Sequence, residues 1–143
     1  MNSHLPHLLL QCVAAGQIGV AILNLFLVRL LKWEADLARM PLLLREVFQV
    51  HAWFISVSLA IFGTLTWRFA AEMASGTNLI ARWVCVCVGL FWAIRTVLQV
   101  VYYSSSHWRG QPGRTAMHFL LLVAYGGMAF VYLWAGFAGG TIV

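Results

Sequence analysis

The sequence predicts an all-α integral membrane protein, a four-helix antiparallel transmembrane bundle with a short interfacial helix between spans one and two. Of its 143 residues, 62% are hydrophobic and 9% are charged, whereas soluble chains are roughly half apolar and about a quarter charged. A soluble domain of this size buries only about two thirds of its surface. The excess of apolar surface therefore has to face lipid.

Four segments reach the roughly 20 mostly apolar residues that a membrane-spanning helix requires. They cover about residues 8–31, 47–67, 79–103 and 115–137. The connections between them are short, which predicts antiparallel neighbours. Because no repeat or linker divides the chain, we expect a single domain over residues 1–143.

Span one is expected to remain in the membrane. No Lys or Arg precedes its apolar stretch and basic residues follow it, which is the reverse of the charge order in a cleavable signal. Behind it, Trp33, Leu37 and Met40 recur at helical spacing. This pattern predicts a short amphipathic helix on the membrane surface, and Pro41 then suits the first turn of the second spanning helix.

Span three contains Cys85 and Cys87, whose side chains diverge by about 200° on a helix and so cannot form a disulfide. Apolar packing is the expected role of both thiols. The connection from span three to span four, residues 104–113, is rich in Ser, Gly and Pro and is predicted to be a loop.

The distribution of Lys and Arg predicts the orientation of the spans. The connections after spans one and three share one side of the membrane and carry six basic residues: Arg29, Lys32, Arg39, Arg45, Arg109 and Arg114. The other side has only Arg68 and Arg82. We therefore expect both termini outside the cytoplasm, in the plasma membrane, which is the inner membrane of a bacterium.

Several polar side chains lie in the predicted cytoplasmic half of the spans, and such residues indicate a functional site by default because they are costly in lipid. Arg95 and Gln99 are four residues apart and so share one face of span three. His51 lies about 9 Å from the boundary of span two and His118 about 6 Å from that of span four. We expect both histidines to face the stripe formed by Arg95 and Gln99.

Arg95 is predicted to lie well inside span three and therefore needs an acceptor. Glu46, a neutral His51 and a nearby carbonyl are candidates. One interpretation is a structural contact that fixes helix packing. A second is an anchor for an anionic group, such as a haem propionate, a lipid phosphate or a quinone oxygen. A third is snorkelling of the side chain toward the boundary with no specific partner.

Two histidines at matched depth on different helices are what bis-imidazole ligation of haem b requires. His51 and His118 would be the metal ligands only if haem is bound. The candidate cofactor-binding residues are His51, His118, Arg95, Gln99, Arg45 and Arg114. Satisfied hydrogen bonding between helices is the competing interpretation, and a quinone or lipid site or a proton relay through the histidines are further alternatives.

The pattern argues against several other classes of protein. Basic residues flank apolar segments rather than forming a run with aromatics, so nucleic acid is not an expected partner. Four acidic residues offer little material for paired-carboxylate catalysis. We expect a non-catalytic accessory or scaffold subunit of a larger membrane complex, in contact with lipids and other subunits. The alternative is a redox protein that binds haem b or quinone.

Overall fold

The computed structural model describes residues 4–102 and 112–138, and within them every regular element is a helix. The elements are α1 His4–Leu30, α2 Glu34–Ala38, α3 Leu42–Arg68, α4 Ala70–Ser75, α5 Leu79–Val101 and α6 Pro112–Phe137. Four segments are long and apolar enough to cross a membrane, namely α1, α3, α5 and residues Thr115–Phe137 of α6. The prediction of four such helices is confirmed. The chain divides into two compact units, one of residues 14–68 and one of residues 1–13 with 69–143.

In the first unit, α1 and α3 pack side by side and run in opposite directions. Gln17 donates from Nε2 to the carbonyl oxygen of Leu59 at 3.4 Å, and Asn24 donates from Nδ2 to that of Ala52 at 2.9 Å. The residue number thus falls along α3 as it rises along α1. Two polar contacts separated by two turns fix the register of this pair.

The connection between α1 and α3 is short. Near its start Lys32 adopts a left-handed backbone conformation, with a φ of 56°. The five-residue helix α2 follows, where the amphipathic pattern predicted a short helix. α3 begins at Leu42, directly after Pro41, and so starts five residues earlier than the apolar pattern indicated. A proline at this position costs no helical hydrogen bond, since the first N–H groups of a helix have no partner within it.

In the second unit, the short helix α4 and the start of α5 make a compact connection that the sequence pattern did not predict. α4 ends at Gly76, which has a left-handed φ of 64°, a conformation that favours glycine. The side chain of Asn78 then caps α5, accepting from the N–H groups of Ile80 at 2.9 Å and Ala81 at 3.2 Å. The connection between α3 and α5 is thus stabilised by Gly76 at the end of α4 and by the Asn78 side chain at the start of α5.

α5 and α6 approach closely at two glycines. A Cβ added at Gly89 would lie 2.8 Å from Cγ of Leu133, and one added at Gly136 would lie 2.7 Å from Cγ2 of Val86. Only glycine permits these contacts, because a methyl group at either position would overlap its neighbour. The order of the contacts shows that α5 and α6 run in opposite directions.

Candidate functional site

The centre of the candidate site is a hydrogen bond between two residues of α5. Arg95 donates from Nη1 to Oε1 of Gln99 at 2.9 Å, as the four-residue spacing on one helix face allows. Arg95 is half-buried, whereas Gln99 is 3% exposed. The amide therefore lies in the interior of the second unit and the guanidinium at its edge.

Gln99 connects Arg95 to α6. Its Nε2 lies 3.0 Å from Nδ1 of His118, which is half-buried. A guanidinium only donates, so the amide oxygen of Gln99 has to face Arg95 and its NH₂ group has to face the imidazole. Nδ1 of His118 is then the acceptor, and the neutral ring carries its proton on Nε2. Through Gln99, Arg95 thus sets the tautomer of the His118 ring.

Two aromatic side chains adjoin this chain. Cζ of Arg95 lies 4.8 Å from the ring centroid of Tyr125 on α6, within the range of a cation–π contact. Tyr125 stacks on Trp92 of α5, with centroids 5.1 Å apart and an angle of 27° between the planes. Both rings are buried. The cation therefore has an aromatic face and an amide oxygen as neighbours, and both stabilise its charge.

The hydrogen bonding does not fit His118 as a haem ligand. A ligating histidine binds iron through one nitrogen and donates from the other to an acceptor. Here Nδ1 is itself an acceptor, because Arg95 holds the oxygen of the Gln99 amide away from it. Ligation through Nε2 would require the amide to reverse, which would bring its NH₂ group against the guanidinium. In the described residues, no group of three or more His, Cys, Asp or Glu side chains is placed to hold a metal ion.

His51 lies on α3 in the first unit, and its side chain is exposed. This does not agree with the prediction that it faces the interior. The polar residue that faces α1 is Ser56, about 140° around the helix from His51. Asn24 of α1 lies 2.9 Å from its hydroxyl and fixes that face of α3 as the packed one. No hydrogen bond reaches His51 from the residues that the structure describes.

The remaining two candidates are Arg45 and Arg114. Arg45 is half-buried on α3, in the first unit. Arg114 belongs to α6, but its side chain lies outside the described part of the structure. Of the six predicted site residues, the structure thus brings together Arg95, Gln99 and His118.

The sequence pattern missed Arg82, which it counted as a topology signal at the membrane edge. Arg82 is 6% exposed, and its Nε donates to the carbonyl oxygen of Gly136 at 3.1 Å. A signal was present in the sequence. From Gln99 backwards, alternating steps of three and four residues pass through Trp92 and Gly89 and end at Arg82, which places it on the buried face of α5.

Comparison with known proteins adds no relative: no protein-family model, no curated protein and no solved structure matches the chain. Function is therefore inferred from the geometry of the two helix pairs.

Proposed function

We propose that this chain is a multi-pass plasma-membrane protein and a non-catalytic accessory subunit of a larger membrane assembly. In this proposal α1, α3, α5 and α6 span the membrane as a bundle, and α2 lies at its cytoplasmic surface. Both termini lie outside the cytoplasm, because the six basic residues belong to the two connections on the other side of the membrane.

The lateral surface of the helices supports insertion into lipid. Many of the most exposed side chains are large and apolar, and Phe54, Ile80, Val101 and Val123 are each more than 70% exposed. Monomeric soluble proteins rarely expose continuous apolar patches of more than a few hundred Å². In lipid the same surface has no such cost.

The main support for the accessory role is that the polar side chains form hydrogen bonds between neighbouring helices. Gln17 and Asn24 of α1 bond to α3, while Arg82 and Gln99 of α5 bond to α6. In the described residues no buried side-chain nitrogen or oxygen lacks a hydrogen-bond partner. Side chains that join helices in this way act as structural contacts. They support a packing role in preference to a catalytic or conducting one.

What the protein then offers to other molecules is its apolar outer surface. Such a surface contacts lipid and the spanning helices of other subunits by shape and van der Waals packing. A small protein whose described polar side chains bond between its own helices is suited to stabilising or positioning larger neighbours in the membrane.

Purification from native membranes in a mild detergent tests the proposal. A tagged copy expressed at its natural level is expected to bring down at least one other membrane protein in a fixed ratio. A four-span protein of similar size and expression, tagged in the same way, is the control. Recovery of this chain with no other polypeptide in a fixed ratio would contradict the accessory role.

The redox alternative is tested on the same preparation. Since the hydrogen bonds of His118 do not fit haem ligation, we expect the dithionite-reduced absorption spectrum to show no Soret shift and no α-band. A quinone site would have to use the same Arg95, Gln99 and His118 side chains, which already bond to one another. Haem bands that disappear in His118→Leu would overturn the proposal in favour of the redox function.

A further inference from the structure

The short helix α2 and the first turns of α3 border a cleft within the first unit. The cleft has a volume of about 290 Å³ and is lined by five side chains, which are Trp33, Asp36, Leu37, Met40 and Phe48. Phe48 belongs to α3, and the other four come from α2 and the residues that flank it. Sites for small molecules have volumes of about 300–1,000 Å³. This cleft is therefore at the lower limit and is large enough for a headgroup but not for a whole phospholipid.

The lining of the cleft is apolar and aromatic apart from one carboxylate. Trp33, Leu37 and Phe48 are half-buried, whereas Asp36 and Met40 are exposed. The faces of aromatic rings stabilise a cation, and a carboxylate accepts short, charge-assisted hydrogen bonds from an ammonium group. An anionic ligand would instead meet the negative charge of Asp36. The chemistry of the lining therefore favours an ammonium group.

The carboxylate of Asp36 is available to such a ligand. Among residues 4–102 and 112–138 it has no hydrogen bond and no ion pair. The same is true, within those residues, of the other charged side chains around α2, which are Lys32, Glu34, Arg39, Arg45 and Glu46. Charges of both signs thus lie close together in the chain without neutralising one another. Such a surface is complementary to a ligand that itself carries both charges.

Arg45 supplies the positive charge nearest to the Phe48 side of the cleft. It lies three residues before Phe48 on α3, so the two side chains share one helix face. Arg45 is half-buried, which limits the positions that its guanidinium adopts. A guanidinium binds phosphate oxygens through two parallel hydrogen bonds. Asp36 and Arg45 together therefore match a ligand with an ammonium group and a phosphate.

We propose that the cleft between α2 and α3 binds the headgroup of phosphatidylethanolamine, with its ammonium group at Asp36 and its phosphate at Arg45. The proposal rests on the membrane-spanning part of the proposed function but not on the accessory role. With α2 at the membrane surface, lipid headgroups lie at the level of the cleft. Phosphatidylethanolamine has the primary ammonium group that the carboxylate requires. Phosphatidylcholine has no N–H to donate, and phosphatidylglycerol has no cation.

Native mass spectrometry of the purified full chain in detergent tests the choice of lipid. Phosphatidylethanolamine, phosphatidylcholine and phosphatidylglycerol are added separately at equal concentration, each with two oleoyl chains, so that only the headgroup differs. We expect phosphatidylethanolamine to bind about tenfold more tightly than phosphatidylcholine, because the second lipid lacks the charge-assisted hydrogen bond to Asp36. Phosphatidylglycerol should also bind more weakly than phosphatidylethanolamine.

Three variants locate the site. Asp36→Asn keeps the shape of the side chain but removes its charge, and it should abolish the preference for phosphatidylethanolamine over phosphatidylcholine. Glu34→Gln is the matched control, since Glu34 is an exposed acid of the same helix that does not line the cleft. It should keep the preference. Arg45→Gln should weaken the binding of both lipids to a similar extent, because both have the phosphate.

Each other result overturns the proposal. Equal binding of the three lipids would mean an unspecific apolar surface, and tightest binding of phosphatidylglycerol would mean that the basic residues act alone. A preference that persists in Asp36→Asn would place the ammonium group elsewhere. Displacement of the lipid by an equal concentration of free phosphoethanolamine would make the ligand a soluble molecule. The comparison of lipids on the unaltered chain holds even if a variant fails to fold, which circular dichroism detects.

The two proposals fail separately. A preference for phosphatidylethanolamine in a chain that co-purifies with no other subunit would support this site and remove the accessory role. Co-purifying subunits without any preference among the lipids would support the accessory role and remove this site.

Discussion

The amide of Gln99 has an oxygen that accepts hydrogen bonds and a nitrogen that donates them. Its two neighbours determine which of the two atoms faces each of them. Arg95 requires the oxygen, so His118 receives the NH₂ group. Gln99 is uncharged, yet through its two hydrogen bonds Arg95 on α5 determines which nitrogen of the His118 ring on α6 accepts.

Replacement of Gln99 by Leu should destabilise the protein by about 1–3 kcal/mol, because Arg95 and His118 each lose this hydrogen bond while half-buried. Gln49→Leu is the same substitution at an exposed position of α3 and should have little effect. SDS-induced unfolding from detergent micelles, followed by circular dichroism, measures the difference. Equal stability losses in the two variants would contradict the structural role of this amide.

Part of this site could be predicted from residue spacing. Arg95 and Gln99 had to share a helix face, and His118 had the matching depth on α6. The exposed position of His51 could not be predicted in the same way. α3 has several faces that carry polar residues, and the choice depends on which of them meets Asn24 of α1. That is a tertiary contact without a signature in the sequence of α3.

At the scale of the helices, the α5–α6 pair depends on two glycines at close approaches. At Gly89 an added Cβ would also lie 3.0 Å from the backbone nitrogen of Leu133. Backbone cannot move aside as a side-chain end can. Gly127, on α6, has nothing within 4 Å of the same position and is therefore a suitable comparison.

Gly89→Ala should lower the stability of the α5–α6 pair by about 1–3 kcal/mol, the usual cost of overpacking. Gly127→Ala should be neutral or stabilising by up to about 1 kcal/mol, because alanine favours helix. Thermal unfolding of both variants in the same detergent checks the contrast. An unchanged melting temperature in Gly89→Ala would show that the two helices separate without cost.

The boundaries of the helices show where sequence patterns are informative. Apolar length alone located the four long helices, but it placed the start of α3 at residue 47 because Arg45 and Glu46 interrupt the apolar run. Helix formation continues through charged residues as long as hydrogen bonding does, so α3 extends back to Leu42. α4 was missed since six residues are too few to show a period.

For the whole molecule, the unequal distribution of Lys and Arg predicts the topology. Six Lys and Arg residues flank the side that is predicted to be cytoplasmic, and two, Arg68 and Arg82, flank the other.

A phosphatase fused behind the last residue should be active, since that enzyme requires the oxidising space outside the cytoplasm. A fluorescent protein that folds only in the cytoplasm should stay dark at the same position and fluoresce when inserted between Arg39 and Met40. Quantified expression of each fusion is the control. The reverse pattern of signals would mean that the topology is inverted.

The two polar contacts of the α5–α6 pair limit how it can move. Arg82 with Gly136 and Gln99 with His118 are separated by 17 residues of α5, or about 25 Å. Sliding one helix by a turn, or rotating it about its axis, would break both contacts together and drive Gly89 out of its fit with Leu133. Any conformational change that involves this pair is therefore expected to move α5 and α6 together as one rigid body.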